Sequence, residues 1–217
     1  MNRLYANVLI KEAIDFCNLI NESNIPELIG VTDGKAIGTF IEHKFKEYLR
    51  KRYEFNLGNS ASGIDLPDIG VNTDIKVTYI NQPQSSCPFK SSRQKIFGLG
   101  YNLLVMVYDR IENSLSPIKF INVTFISSEE TGDYTTTKRL IELIKDGANK
   151  EDIIAYLSDR NIPGDEVTYS QLADEILQGN VRQGYLTISN ALQWRLQYSR
   201  VISLDNKVKG VLNHDFK

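Results

Sequence analysis

Residues 63–78 read G-I-D-L-P-D-I-G-V-N-T-D-I-K-V-T, and they decide how the rest of the chain is understood. Side chains alternate across a strand, so Asp74 and Lys76 share one face while Ile75, Val77 and Tyr79 point to the other and can enter a core. In the first half, Ile64 and Leu66 take the buried side and Asp65 the opposite one. With Gly70, Val71 and Asn72 near a bend, the two halves read as strands of a hairpin. Folding it brings two carboxylates and an amine together. Asp68, which follows Pro67, is a rival for the first carboxylate. Asp65 is preferred because it stands on a strand face, whereas Asp68 lies close to the bend.

Working outward, the segment after the hairpin is polar: N-Q-P-Q-S-S-C-P-F-K-S-S-R-Q-K. A loop that leaves a candidate site directly lies beside its chemistry. Gln82, Gln84, Lys90 and Arg93 are candidate nucleic-acid contacts, and Ser91 or Ser92 can cap a short helix holding Arg93, Gln94 and Lys95, which supplies donors suited to a phosphate backbone. The same composition also fits a plain connecting loop. Residues 103–108 (L-L-V-M-V-Y) form a nearly continuous apolar run, as a fully buried strand does, and residues 120–126 alternate more loosely as a second strand.

Upstream, Leu4, Val8, Leu9, Ala13, Phe16, Cys17 and Ile20 recur at helical spacing up to about Glu22. After Pro26 and the Thr32-Asp33-Gly34 turn, a second helix is expected from about Thr39 to Arg52, with Ile41, Phe45, Tyr48 and Leu49 buried. Glu42 sits at the border of that stripe and can reach a cleft. It also fits a capping box, Thr39-x-x-Glu42, in which it only satisfies the helix start. The run Lys44, Lys46, Arg50, Lys51 and Arg52 is either a solvated face or a phosphate contact.

Downstream, residues 135–180 change to three short helical patterns broken by Gly147, Pro163-Gly164 and Gly179. None is long enough to stand alone in water, so they are expected to pack as a helical subdomain. The last pattern, S-N-A-L-Q-W-R-L-Q-Y-S-R-V-I from Ser189, reads as an apolar helix with one polar edge, spanning 187–205. At about 100° per residue, Asn190, Gln193, Gln197 and Arg200 fall on one stripe. Asn, Gln and Arg are the side chains that bond base edges bidentately, so this stripe is a candidate base reader; a packing helix with a wet edge has the same pattern. Arg195 lies off it.

The whole chain bounds these readings. Its 217 residues, 41% hydrophobic and 24% charged, suit one folded domain: a core over about 1–130 plus the C-terminal helix, and the subdomain at 135–180. A net charge of −2 argues against a protein that coats nucleic acid non-specifically, without excluding a site-specific one. No membrane-spanning apolar stretch and no signal-peptide pattern occur, so a cytoplasmic protein is expected. Cys17 and Cys87 form neither a zinc site nor a disulfide framework.

The chemistry that two carboxylates and a lysine suit is hydrolysis of a phosphodiester, in which a hard cation held by oxygen ligands orients water and neutralises charge. Asp65 and Asp74, joined by the backbone carbonyl of Ile75, are the expected ligands. Lys76 serves the attacking water or the developing charge. Asp-x8-Asp-x-Lys in this setting resembles the PD-(D/E)xK nuclease superfamily, and within it the type II restriction endonucleases and the related MutH nickases. In that subgroup a segment like D-G-K-A-I-G-T-F-I-E, here residues 33–42, brings a helix glutamate to the metal, which implies that role for Glu42. The resemblance covers residues 30–125. It implies an α/β (α+β) fold with a mixed central sheet flanked by helices, Mg²⁺ with Mn²⁺ as a substitute, and double-stranded DNA as substrate, cut by a homodimer or by a monomer acting twice. The expectation is a Mg²⁺-dependent, sequence-specific endonuclease of the restriction type. Its alternatives are a nicking or structure-specific endonuclease and a DNA-binding module without catalysis.

Overall fold

The computed structural model describes residues 2–58, 63–87, 90–111, 114–189, 194–204 and 208–216. In chain order the elements are β1 (Asn2–Arg3), α1 (Ala6–Asn21), α2 (Gly34–Arg50), β2 (Tyr53–Glu54), β3 (Thr73–Tyr79), β4 (Gln84–Cys87), α3 (Arg93–Phe97), β5 (Asn102–Arg110) and β6 (Ile118–Ile126). Then follow α4 (Tyr134–Lys145), α5 (Lys150–Asp159), α6 (Glu166–Leu177), β7 (Thr187–Ile188), β8 (Trp194–Gln197), α7 (Ser199–Ile202) and β9 (Val211–Asp215). Among the described residues no helix is long and apolar enough to cross a membrane.

β5 is apolar on both faces because both faces are covered. It lies inside a four-stranded mixed sheet of order β3-β5-β6-β9, parallel to β3 and antiparallel to β6. Leu104, Met106 and Tyr108 pack into the core built by α1 and α2, with Leu9, Phe16, Ile41 and Phe45. Leu103, Val105 and Val107 enter a second core on the opposite face, with Cys87, Trp194, Leu196 and Tyr198. β3 is an edge strand whose Asp74 and Lys76 stand in register with Leu103 and Val105. Cross-strand neighbours share a face. The two polar residues therefore lie on the second-core side, while Ile75 and Val77 belong to the helix side.

α2 begins five residues earlier than the sequence suggests, at Gly34, with Asp33 as its cap accepting from Lys35 N–H at 3.0 Å. Thr39 is thus inside the helix and no Thr39–Glu42 capping box exists. The first half of the expected hairpin is not a strand either. Leu66 alone bridges Thr73, and the bend is closed by Val71 and Asn72 N–H groups donating to Asp68 O at 2.8 and 2.7 Å.

The larger departure is C-terminal. The single helix expected over 187–205 does not form; Trp194–Gln197 is a strand, and among the described residues of that span only Ser199–Ile202 is helical. β8 pairs antiparallel with β4, in the segment read as a loop, and with β7, giving a second sheet of order β4-β8-β7. In W-R-L-Q the apolar residues also fit period 2, and burial follows that period, with Trp194 and Leu196 inside and Arg195 and Gln197 outside. Short segments of this kind take the structure their partners dictate, and here β4 supplies the pairing edge.

The three helices α4, α5 and α6 are capped by Asp133, Asn149 and Asp165, Asn149 in a capping box with Asp152. They enclose their own core of Leu140, Ile153, Leu157, Ile162, Leu172, Ala173 and Ile176, joined by Ile96 of α3. Asp133 fastens this unit to the second sheet by accepting from Ile188 N–H at 2.8 Å.

Trp194 is 1% exposed, as a strand residue turned into the second core. Trp194→Ala should lower unfolding free energy by about 3–5 kcal/mol in a urea titration. A loss below about 1 kcal/mol would place that side chain outside the core.

Candidate active site

Backbone polarity along β3 sets the site. Asn72 O accepts from Asn102 N–H at 2.8 Å on the β5 side, while Thr73 exchanges two bonds of 3.0 Å with Leu66 on the opposite side. Successive residues of a strand present their N–H and C=O to alternate edges, so Ile75, two residues beyond Thr73, presents both to the open edge. Its N–H donates to Asp65 Oδ2 at 2.9 Å. Its carbonyl leaves on that same edge, beside Asp65. Asp65 thereby occupies the ladder position that a further strand would have taken.

Asp74 projects from the face of β3, and its carboxyl hydrogen-bonds that of Asp65. Lys76 Nζ lies 2.8 Å from Asp74 Oδ2. From the other side of the sheet, α2 reaches over the open edge: Lys46 Nζ donates to Asp65 Oδ1. Glu42, one helical turn before Lys46, feels the charges of Asp65, Lys76 and Lys46. An edge strand makes this possible, because a face, an edge and a neighbouring helix can all contribute to one spot.

The charges are poorly solvated. Burial pushes Asp74 up to about 7 against the opposing pull of Lys76, with Asp65 adding to the rise. Burial likewise raises Glu42 to about 7, and the Asp65 charge adds to it. Burial works against the Asp65 carboxylate too, yet hydrogen bonds from Asp74, Lys46 and Ile75 N–H hold it below its ordinary range. Burial would lower Lys76, but Asp74, Asp65 and Glu42 more than reverse that and keep it an ammonium.

A carboxyl raised by burial and by a neighbouring carboxylate is one whose charged form a bound cation would favour. Among the described residues no three His, Cys, Asp or Glu side chains come close enough to hold a metal by themselves. The donor set is narrower: the Asp65–Asp74 pair and the Ile75 carbonyl, with Glu42 acting at longer range. That set is all oxygen and suits a hard divalent cation in its donor chemistry.

Asp68 lies apart from this cluster, receiving Asn56 N–H at 3.0 Å and Asn56 Nδ2 at 2.7 Å. The proposed DNA contacts scatter. Gln84 and Gln197 face each other across β4 and β8. Gln82 and Lys90 are exposed. Arg93 is tied to the helical unit by an ion pair with Glu175 and lies 4.9 Å from the Phe97 ring centre. Arg200 stacks 3.8 Å over Tyr134. Asn190 and Gln193 lie outside the described residues, and with β8 a strand, the helical stripe that would have joined them to Gln197 and Arg200 does not exist. Sequence reasoning left Lys46 in a run of surface charge, although its i+4 spacing from Glu42 places both on one face.

A family model described as Type II restriction enzyme NspV matches residues 3–213. The Type II restriction enzyme NspV of Nostoc sp. is 55% identical over 190 residues, covering 86% of this chain and 86% of that protein. No solved structure matches the chain.

A carboxyl whose pKa is raised on folding binds its proton more tightly in the native state, so its contribution is present at low pH and lost as pH rises. For Glu42 the window runs from its ordinary value of 4.5 up to about 7. In EDTA, Glu42→Gln should therefore gain stability relative to the parent between pH 5 and pH 8, by on the order of 1 kcal/mol in urea titrations. A constant difference between the two proteins would remove Glu42 from the charge cluster.

Proposed function

The chain belongs to the NspV family of type II restriction enzymes, sequence-specific endonucleases that act on DNA, and from that premise we propose that the open edge of β3 is the catalytic centre. The observation that carries this reading is the contact of Asp65 with Asp74 beside the Ile75 backbone, with Lys76 Nζ 2.8 Å from Asp74. Asp65, Asp74 and the Ile75 carbonyl hold Mg²⁺, for which Mn²⁺ can substitute. The bound cation supplies an activated water, neutralisation of phosphate charge and help for the departing oxygen.

The chain's own groups do the rest. Lys46 and the Ile75 N–H fix the Asp65 carboxylate from two sides, so its orientation is set before any ligand arrives. Lys76 stays protonated among three carboxylates, which suits it to stabilising negative charge on the phosphate more than to taking a proton from water. Glu42 adds a carboxyl group on the α2 side, within reach of the charges of Asp65 and Lys76. Asp68 serves the bend, where its side chain accepts from Asn56.

One centre per chain cuts one strand at a time. We place the enzyme on double-stranded DNA as a homodimer, since a two-fold axis in the protein matches one in a palindromic duplex. Its working compartment is the cytoplasm.

The test is digestion of a plasmid by the purified protein with Mg²⁺, Mn²⁺ or EDTA, followed by sequencing of the ends. Fixed ends with metal and none in EDTA are expected. Lys76→Ala, Asp65→Ala and Asp74→Ala should each slow cleavage at least about 100-fold, while Asp68→Ala leaves turnover within a few-fold. Loss of turnover on changing Asp68 but not Asp65 would reverse the assignment of the first ligand.

A further inference from the structure

The antiparallel register of β4 and β8 sets Gln84 opposite Gln197 and Ser86 opposite Arg195. Alternation turns Ser85, Cys87, Trp194 and Leu196 toward the second core and these four residues away from it. Ser86, Arg195 and Gln197 are exposed, and Gln84 is half-buried. The bonds of Gln84 and Arg195 run through their backbones, Gln84 N–H to Thr78 Oγ1 at 3.1 Å and Arg195 N–H to Ser189 Oγ at 3.0 Å. Their side chains, and that of Gln197, have no hydrogen-bond or ion-pair partner among the described residues. Two other candidate DNA contacts are engaged within the protein, Arg93 with Glu175 and Arg200 with Tyr134.

This face is also held in fixed relation to the cluster on β3. β4 follows β3 after a short turn and is pinned to it by the Gln84–Thr78 bond, while Tyr198 N–H donates to Pro83 O at 2.8 Å. The inner side of the same sheet packs on Leu103 and Val105, the register neighbours of Asp74 and Lys76.

We propose that the outer face of β4 and β8 is the base-reading surface, with Gln84, Arg195 and Gln197 entering the major groove of the DNA that β3 cuts. The proposal rests on the β3 edge being the cleavage site. A β-ribbon fits a groove about 12 Å wide, Arg bonds guanine O6 and N7 bidentately, and Gln does the same for adenine N6 and N7; β7 adds only Thr187 beside Gln197 and Ile188 beside Leu196. Rows two residues apart on a strand are separated by about 6.8 Å. That is two base-pair steps of about 3.4 Å. The Gln84–Gln197 row and the Ser86–Arg195 row thus address bases two steps apart. The chain carries a net charge of −2, so discrimination of this kind comes from placed donors and not from a general basic surface.

The test separates reading from cutting. Lys76→Ala protein, held in Ca²⁺, selects duplexes from a randomised pool, and the selection is repeated with Arg195→Lys, Gln197→Ala and Gln84→Ala each added. Arg195→Lys keeps the charge and loses the fork. We expect each addition to relax preference at one or two positions by about five- to hundred-fold, leaving the remaining positions selected. The same selected sequence from all four proteins overturns the proposal, as does a uniform loss of affinity across sequences, which marks a phosphate contact. Cleavage of the selected duplex by the wild-type protein with Mg²⁺ is measured separately: its failure counts against the β3 centre, whereas a position-specific change on altering Arg195 still supports the reading face.

Discussion

Two carboxylates are held in contact at the open edge of a sheet, and much of the architecture is arranged to make that contact tolerable. Like charges in a poorly solvated place repel, and the ordinary remedies are a retained proton, a nearby ammonium or a bound cation. All the protein-borne remedies are present: Asp74 is pushed up to about 7, Lys76 lies 2.8 Å from it, and Lys46 pairs with Asp65. A site that already offers these and still has a backbone carbonyl beside it is suited in its donor chemistry to a divalent cation.

The constraint explains why β3 has to be an edge. A strand paired on both sides would have its Ile75 N–H and C=O consumed by a neighbour, and Asp65 would have nowhere to dock. Instead the chain before β3 makes a single bridge, Leu66 to Thr73, and then lets a side chain continue the ladder. Edge strands are exposed to unwanted pairing, and charged groups placed on the edge are a known way to prevent it. Here the same charges that block a further strand are the ones proposed to hold metal.

How much of this was legible depended on whether local pattern or a distant partner decided each segment. Asp74, Lys76 and the buried strand β5 followed from alternation and a continuous apolar run, both properties of the strand itself. Glu42 has no capping duty, because the helix starts at Gly34 with Asp33 as its cap. Asp65 comes beside Asp74 as alternation suggests, but from different secondary structure: the expected strand reduces to a single bridge, and the side chain reaches Ile75 across a bend. The C-terminal helix failed for the opposite reason. Its apolar residues fit both periods, and the choice was made by β4, whose polar sequence Q-S-S-C carries little strand signal of its own. Lys46 was hidden in a basic run because nothing local distinguishes an inward lysine from a solvated one; only its spacing from Glu42 does.

The corrected C-terminus also changes how the two sheets relate. A surface helix can shift against its neighbours, whereas β8 is hydrogen-bonded to β4, β4 is bonded to the end of β3, and the inner face of the pair shares one core with β5. Trp194, Leu196 and Tyr198 in that core are at most 1% exposed, so the second sheet has little freedom to slide over the first. Whatever the outer face of β4 and β8 holds is therefore fixed in position relative to Asp74 and Lys76. For an enzyme that must cut at a set distance from the bases it recognises, a shared core does the work that a flexible linker between a reading domain and a cutting domain could not.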